Sequence, residues 1–158
     1  MQYAETAYRV KLDIEQATKI RDRFFEVYSA LKKWHLEADK KAGEGCSLLT
    51  TILGRKRWLP QGADARWPRF TALLNAPVQG GAADVIKAAI LELEEKLPEG
   101  AGLVSTVHDE LIVEVSLKDA ETVKKLVEDV MIKSAVSLYP SVKFEVEGMV
   151  CESWAEKA

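Results

Sequence analysis

Three consecutive polar residues, His108, Asp109 and Glu110, stand between two apolar, β-branched segments, residues 103–107 and 111–115. The alternation and composition of the flanking segments predict two strands, so the polar residues fall at the reversal of a β-hairpin. Adjacent carboxylates are ligands that hard divalent cations accept, which makes the turn a candidate metal site. The same residue types also suit an ordinary polar turn, and their spacing leaves both interpretations open.

A cationic stretch, residues 54–69, could bind a polyanion. It holds one acidic residue, Asp64, against five cations and two tryptophans: Arg55, Lys56, Arg57, Arg66, Arg69, Trp58 and Trp67. Cations interleaved with aromatic rings suit a phosphate backbone and stacked bases. The alternative interpretation is a solvated loop with two partly buried tryptophans.

Two amide side chains, Asn75 and Gln79, lie four residues apart, so a helix would place both on one side. Asn and Gln can donate hydrogen bonds to the minor-groove acceptors that nearly all base pairs offer. The small residues 80–83, GGAA, follow directly and would let another backbone approach closely. Because glycine costs about 1 kcal/mol relative to alanine inside a helix, the pair of glycines favours a packing or binding role. Ordinary surface or capping amides are the alternative.

The elements that would position these residues divide near residue 100. A helix is predicted over residues 13–42, with Asp13 as N-cap, Gln16 three residues later, and Gly43 and Gly45 at its end. Residues 48–60 predict a short strand or ribbon that turns at Gly54. A second helix is predicted from about residue 69 to residue 96, bent or interrupted at Pro77.

The remaining residues predict a β-β-α-β order. The hairpin of residues 103–115 is followed by a helix over residues 118–138 and by the segment VKFEVEG, residues 142–148. Val142, Phe144 and Val146 alternate with charged residues in that segment, which is typical of a half-buried strand. The fold class is therefore predicted as α+β, with helices in residues 1–100 and a small antiparallel sheet in residues 101–158.

Composition limits the classes of function. The 158 residues are enough for one globular domain, with 47% apolar and 30% charged residues. Because the net charge is −3, any affinity for nucleic acid must come from a local patch. Cys46 and Cys151 lie far apart and form no CxxC motif, which disfavours a structural zinc site. With no apolar run of the ~18 residues that span a membrane, and no signal peptide pattern, we expect a soluble cytoplasmic protein.

An ordered set of motifs resembles the C-terminal part of family A DNA polymerases. NAPVQGGAAD..K, residues 75–87, followed by VHDE, residues 107–110, is similar to that family, as is GRKRWLP, residues 54–60. Residues 9–35 are similar to the helices that follow the family's nucleotide-binding fingers helix, and FEVEGMVCESWAE, residues 144–156, is similar to its terminal strand. The resemblance implies the palm and distal fingers of a DNA-directed DNA polymerase.

The resemblance also implies roles for individual residues. Asp109 would be a ligand of two Mg²⁺ ions with Glu110 beside it, and His108 would approach the 3′ end of the primer. Asn75 and Gln79 would touch the primer–template DNA, and three cations would contact the DNA backbone: Arg55, Lys56 and Arg57. Deoxynucleoside triphosphates would be the substrates.

The sequence departs from the family at several places. Thr71 stands where the family usually has an arginine, and Arg69 is the nearby candidate to replace it. The family's DYSQIELR-like segment, which carries a second metal-binding aspartate, is not found, since DIEQ at residues 13–16 opens a helix. The fingers helix with its lysine and tyrosine is also not found. The chain is thus expected to hold one half of a two-metal site.

Three hypotheses remain open. The chain is a split or truncated polymerase subunit that is inactive without an N-terminal partner segment, a non-catalytic nucleic-acid-binding module, or a degenerate polymerase fragment. Under the family resemblance, the hairpin of residues 103–115 lacks the strand that would pair with its edge. Such an edge predicts self-association as a twofold dimer, unless a strand from residues 3–11 covers it.

Overall fold

The structure is a computed structural model that describes residues 3–5 and 11–156. In the described residues, three two-stranded sheets and four α-helices form the main elements, with short 3-10 helices at Ala63–Ala65 and Trp154–Glu156. The bounds are β1 Tyr3–Glu5, β2 Lys11–Asp13, α1 Ile14–Val27, α2 Ser29–Gly43, β3 Leu48–Thr50, β4 Lys56–Trp58, α3 Arg66–Lys96, β5 Gly102–Val107, β6 Glu110–Glu114 and α4 Ala120–Leu138. This helix-rich arrangement with small sheets confirms the predicted α+β class.

The chain divides into two compact units. Unit 1 comprises Met1–Leu48 and Trp58–Leu74, and unit 2 comprises Leu49–Arg57 and Asn75–Ala158. The expectation of a single partial polymerase domain stays a prediction. None of the helices in the described residues is long and apolar enough to cross a membrane.

In unit 1 the predicted N-cap is confirmed, but the predicted helix over residues 13–42 is wrong as one continuous element. The Asp13 carboxylate accepts a hydrogen bond of 2.9 Å from the backbone N–H of Gln16. Two helices follow instead of one, because Tyr28 leaves the helical region at φ −101° and ψ 61°. The break coincides with aromatic and β-branched residues followed by Ser29, which are weak helix formers. The end is as predicted, since α2 stops at Gly43 and Gly45 has a positive φ of 76°.

A buried guanidinium ties the helices of unit 1 together. Arg69 is 5% exposed, and its Nη1 donates to the Ala42 carbonyl at 2.5 Å while its Nε donates to the Pro60 carbonyl at 3.1 Å. The interpretation of Arg69 as a DNA-binding cation is therefore wrong, since its donors face the interior of the protein. Arg66, three residues earlier, is exposed and pairs with Asp39 at 3.0 Å.

Helix α3 begins three residues before its predicted start and continues without interruption through Pro77 to Lys96. Of the two effects predicted for Pro77, the interruption is wrong, because proline removes only one intrahelical hydrogen bond and the residues on both sides remain helical. The bend stays a prediction. The core of unit 2 forms where this helix meets α4, around Ala89, Leu93 and Val130. Leu111 of β6 packs against the same cluster, so the core also supports the β5–β6 hairpin.

The two glycines of α3 are explained by neighbouring side chains of unit 2. A Cβ atom at Gly80 would lie 2.7 Å from Cγ2 of Thr51, and one at Gly81 would lie 2.0 Å from the Tyr139 hydroxyl oxygen. Real Cβ atoms do not come so close to other atoms, so a side chain at either position would force Thr51 or Tyr139 to move. The close approach expected from the small residues is thus made by Thr51 and Tyr139.

A buried carboxylate holds the β3–β4 turn against α3. Asp84 is 1% exposed, and its Oδ1 accepts from Nε and Nη2 of Arg55 at 3.0 and 2.7 Å. Its Oδ2 accepts from the backbone N–H of Leu53 at 3.3 Å, and the Thr51 side chain donates a further hydrogen bond. Nη2 of Arg55 also donates to the Gly80 carbonyl at 2.9 Å. We call these contacts the Asp84 clamp.

The predicted strand over residues 142–148 is wrong. Residues 143–150 form no regular element, and none of the described strands pairs with them. Side chains anchor the segment instead: the Gly148 N–H donates to Oε1 of Glu128 at 2.7 Å, and the rings of Phe144 and Tyr139 lie 6.5 Å apart. Alternation alone therefore indicated half-burial, but a strand also requires a partner for its backbone groups.

The β5–β6 hairpin has no third strand among the described residues. Residues 6–10 of the strand expected to cover it lie outside the described residues, and its described ends form β1 and β2, which pair with each other. Self-association through the edge of the hairpin stays a prediction.

We expect replacement of Arg69 by Met to lower the free energy of unfolding by about 2 kcal/mol, because the buried Ala42 carbonyl and the Pro60 carbonyl, whose hydrogen bond is partly buried, lose their donor. The matched control is Arg66→Met, which removes the same charge from an exposed pair and should cost less than about 1 kcal/mol. Urea denaturation at neutral pH measures both variants. Equal losses for the two would contradict the structural role of Arg69.

The Asp84 clamp predicts acid sensitivity. Burial raises the pKa of Asp84, but hydrogen bonds from Thr51, Arg55 and Leu53, together with the charge of Arg55, outweigh it and leave the pKa below its ordinary value of 3.8. A carboxylate with a lowered folded-state pKa stabilises the protein fully above its unfolded-state pKa and loses this contribution as the pH falls through the folded-state pKa.

Urea denaturation of the wild type and Asp84→Asn at pH 7, 5, 4 and 3 measures this linkage. The variant should be less stable by roughly 2 kcal/mol at pH 7 and pH 5, because an ionised hydrogen-bonded pair is lost. The difference should shrink below pH 4. A difference that stays constant down to pH 3 would show that the ionised form of Asp84 contributes nothing.

Candidate nucleic-acid interface and metal ligands

The predicted hairpin turn is confirmed, and His108 and Asp109 occupy its tip. Val107 and Glu110 are the last paired residues, so the connection contains two residues. His108 has a φ of 55°, and no other non-glycine residue of the described ranges has a positive φ. Glycine usually occupies such a position in tight hairpins, and histidine is among the few residue types that tolerate it. This costly conformation presents both side chains to solvent.

The hairpin that carries the turn is irregular on one strand. The register shifts between Leu103 and Ser105, as expected of a β-bulge in β5. Bulges increase local twist and are common beside active sites, where they redirect side chains. Glu110, the first residue of β6, is half-buried, whereas Asp109 is exposed. The carboxylate of Asp109 is thus the more accessible of the two predicted metal ligands.

These residues alone do not make a complete metal site. Across residues 3–5 and 11–156, no group of three or more His, Cys, Asp or Glu side chains is arranged to hold a metal ion. Mg²⁺ requires near-octahedral oxygen coordination, and a two-ion site requires ligands for both ions. The turn therefore fits part of a ligand set, and further oxygen ligands would have to come from elsewhere.

A cleft of about 200 Å³ lies in unit 2 between the β3–β4 hairpin and α3. Its lining includes Lys56 and Arg57 from the hairpin and Gln79 and Gly80 from the helix. The three long side chains are exposed. Asn75, one helical turn before Gln79, is exposed as well, so the predicted pair of amides is available to a ligand. Cations and the amide of Gln79 thus share one cleft, which suits phosphate oxygens and base edges.

The third predicted DNA-binding cation, Arg55, is already engaged. Its side chain is 41% exposed, but its guanidinium binds Asp84 and the Gly80 carbonyl. The ion pair partly offsets its charge, but Arg55 also lines the cleft, so its contact with DNA stays a prediction, as do those of Lys56 and Arg57. Thr71 stands where the family usually has an arginine, and its hydroxyl donates to the Pro68 carbonyl at 3.0 Å. Arg69 does not replace that arginine, because its side chain is buried in unit 1.

Sequence reasoning missed Asp84 and Thr51. One signal was present: Asp84 is an acidic residue at the end of the small-residue run of α3, four residues after Gly80, so both lie on one helical face. Its partner, Arg55, is 29 residues away in the sequence, and no local pattern connects the two.

Comparisons with known proteins agree with the motifs. Residues 1–156 match the family model described as DNA polymerase family A. DNA polymerase I of Aquifex aeolicus is 33% identical over 159 residues, which cover 98% of this chain and 26% of that protein. The thermostable DNA polymerase I of Thermus filiformis is 35% identical over 164 residues, covering 98% of this chain and 19% of that protein.

A solved structure is also similar, the POL domain of Pol1 from M. smegmatis in complex with DNA primer-template and dNTP. It matches with a TM-score of 0.63 and 28% identity, covering 76% of this chain and 22% of that chain. The chain thus spans about a fifth to a quarter of the length of these relatives. The family model nevertheless covers nearly every residue of this chain, and the chain belongs to DNA polymerase family A.

Proposed function

We propose that this chain forms the C-terminal palm and distal-fingers part of a DNA-directed DNA polymerase. It would bind primer–template DNA and supply one half of a two-metal nucleotidyl-transfer site. The observation that carries this proposal is the His108–Asp109 turn, which places an exposed carboxylate at the tip of a hairpin packed on the core of unit 2. A cytoplasmic location belongs to the same proposal.

Two findings support DNA as the partner. The similar solved structure is a polymerase domain with DNA primer-template and dNTP bound. In this chain, the cleft brings Lys56 and Arg57 next to Gln79. The cations would bind phosphate oxygens and hold the register of the duplex, while Gln79 and Asn75 would donate to minor-groove acceptors without strong sequence preference.

For catalysis, Asp109 and Glu110 would be the Mg²⁺ ligands of this chain. When bound, Mg²⁺ would bring together the attacking 3′-hydroxyl and the triphosphate and neutralise their charge. The His108 side chain, exposed at the same turn, would contact the primer terminus by hydrogen bonding. The remaining ligands and the binding surface for deoxynucleoside triphosphates would be supplied by an N-terminal polymerase segment.

A non-catalytic nucleic-acid-binding module is the second candidate function. The observation that favours it is that the cleft lies within unit 2, whereas the described residues lack a complete set of metal ligands. Both candidate functions therefore include DNA binding, and only the polymerase function includes nucleotide transfer.

We expect the chain to bind primer–template DNA with an affinity that falls as salt rises. Replacement of Lys56 and Arg57 by Gln should reduce the slope of log affinity against log salt concentration by about 1.8 in magnitude, since each phosphate contact contributes ~0.9 to that slope. Fluorescence anisotropy with labelled DNA at several salt concentrations measures this slope. The double variant Lys118→Gln, Lys125→Gln removes two exposed cations of unit 2 away from the cleft and is the matched control. Equal slopes for both double variants would show that the cleft is not the binding surface.

We expect no nucleotide incorporation by the purified chain alone, because its carboxylates at the turn cannot coordinate two ions and orient a triphosphate. Addition of an N-terminal fragment of a family A polymerase, ending where the similarity to this chain begins, should restore primer extension. Asp109→Asn should reduce the restored rate by at least about 100-fold, and Asp119→Asn, a change at an acid away from the turn, should not. Extension by the chain alone that disappears in Asp109→Ala would contradict this expectation.

A further inference from the structure

The Asp84 clamp connects the two elements whose side chains line the cleft. Asp84 and Gly80 belong to α3, one turn apart, and Thr51, Leu53 and Arg55 belong to the β3–β4 turn. Gly80 has no side chain, so Thr51 can approach the helix closely enough for its hydroxyl to reach Asp84. Side-chain and backbone donors of the turn thus all bind the carboxylate of Asp84.

The β3–β4 hairpin is too small to hold itself in place. Each strand has three residues, and an isolated pair of strands is marginally stable in water. Lys56 and Arg57 follow Arg55 directly in the chain, so a fixed Arg55 also fixes the backbone from which they project. Gln79 precedes Gly80, the residue whose carbonyl accepts from Arg55. On the hairpin side of the cleft, Arg55 of the clamp is thus adjacent in sequence to Lys56. On the helix side, Gly80 is adjacent to Gln79.

We infer that Asp84 is a positioning residue for DNA binding, which fixes the β3–β4 turn on α3 so that Lys56 and Arg57 face the same cleft as Gln79. This inference rests on the proposed function. Asp84 itself is buried and negatively charged, so it does not touch DNA. It acts through Arg55, whose guanidinium is held between Asp84 and the Gly80 carbonyl.

For Asp84→Asn, a positioning role and simple electrostatics predict opposite changes in the affinity for DNA. Asp84→Asn removes a negative charge close to the cleft, and on electrostatic grounds alone it should strengthen binding to a polyanion. If Asp84 positions the hairpin, the same substitution should weaken binding because Lys56 and Arg57 lose their fixed places. Arg55→Gln should weaken binding to a similar extent, although it changes the charge in the opposite direction.

The test measures DNA affinity against salt for the wild type, Asp84→Asn, Arg55→Gln and the double variant. Circular dichroism must first show that each is folded at the temperature used. Glu92→Gln is the matched control, because Glu92 is an acid of the same helix that pairs with Lys96 and Lys133 away from the cleft. Thr51→Val, which removes one donor to Asp84 and changes no charge, is the milder variant if Asp84→Asn does not fold.

We expect Asp84→Asn and Arg55→Gln each to reduce the slope of log affinity against log salt concentration by roughly one to two in magnitude. This would bring the slope towards that of the chain in which Lys56 and Arg57 are both replaced by Gln. The double variant should be no weaker than either single variant, since both substitutions open the same clamp. Glu92→Gln should bind as the wild type does. In NMR hydrogen exchange without DNA, the Leu53 amide should lose protection in both single variants and keep it in Glu92→Gln.

Unchanged or tighter DNA binding by a folded Asp84→Asn chain would overturn the inference and leave the proposed function standing. Unchanged protection of the Leu53 amide would also overturn it, because the clamp would then not hold the turn. Absence of salt-dependent DNA binding by the wild type would remove the proposed DNA-binding function and this inference with it.

Discussion

The buried carboxylate of Asp84 is the constraint on which the arrangement of unit 2 around the cleft depends. A carboxylate that is 1% exposed has lost its hydration, so it must be compensated by donors of the protein. Arg55, Leu53 and Thr51 supply these donors, and all three lie in the β3–β4 turn. Because the buried charge of Asp84 needs these donors, it determines where the β3–β4 hairpin lies on α3. Gly80 makes this possible, because a side chain there would collide with Thr51.

The cationic stretch of residues 54–69 shows how similar residue types acquire different roles. Arg69 is buried and binds two carbonyl oxygens, Arg66 is exposed and pairs with Asp39, and Arg55 closes the Asp84 clamp. Two cations of the hairpin, Lys56 and Arg57, remain exposed beside the cleft. Sequence composition predicted a cationic surface, but burial and pairing decide which cations a phosphate can reach.

The turn His108–Asp109, the N-cap Asp13 and the turn at Gly54 were predictable because local sequence determines them. Strand alternation, capping preference and a positive φ each leave a signal within a few residues. Asp84 as the partner of Arg55 and Ala42 as a partner of Arg69 were not predictable, since they lie 29 and 27 residues away in the sequence. The expected strand over residues 142–148 failed for a related reason, because alternation does not reveal whether another strand is available to pair with it.

In the proposed function, the hairpin turn meets the primer terminus while the cleft holds the duplex. Photocrosslinking with mass-spectrometric mapping can locate both contacts, with primer–template DNA that carries a photoreactive base either at the primer 3′ end or several base pairs upstream. We expect crosslinks from the 3′ end to residues 107–110, and crosslinks from the upstream position to the hairpin of Lys56 and Arg57 or to Gln79. Crosslinks from both positions spread over the surface, or 3′-end crosslinks that avoid the turn, would contradict it.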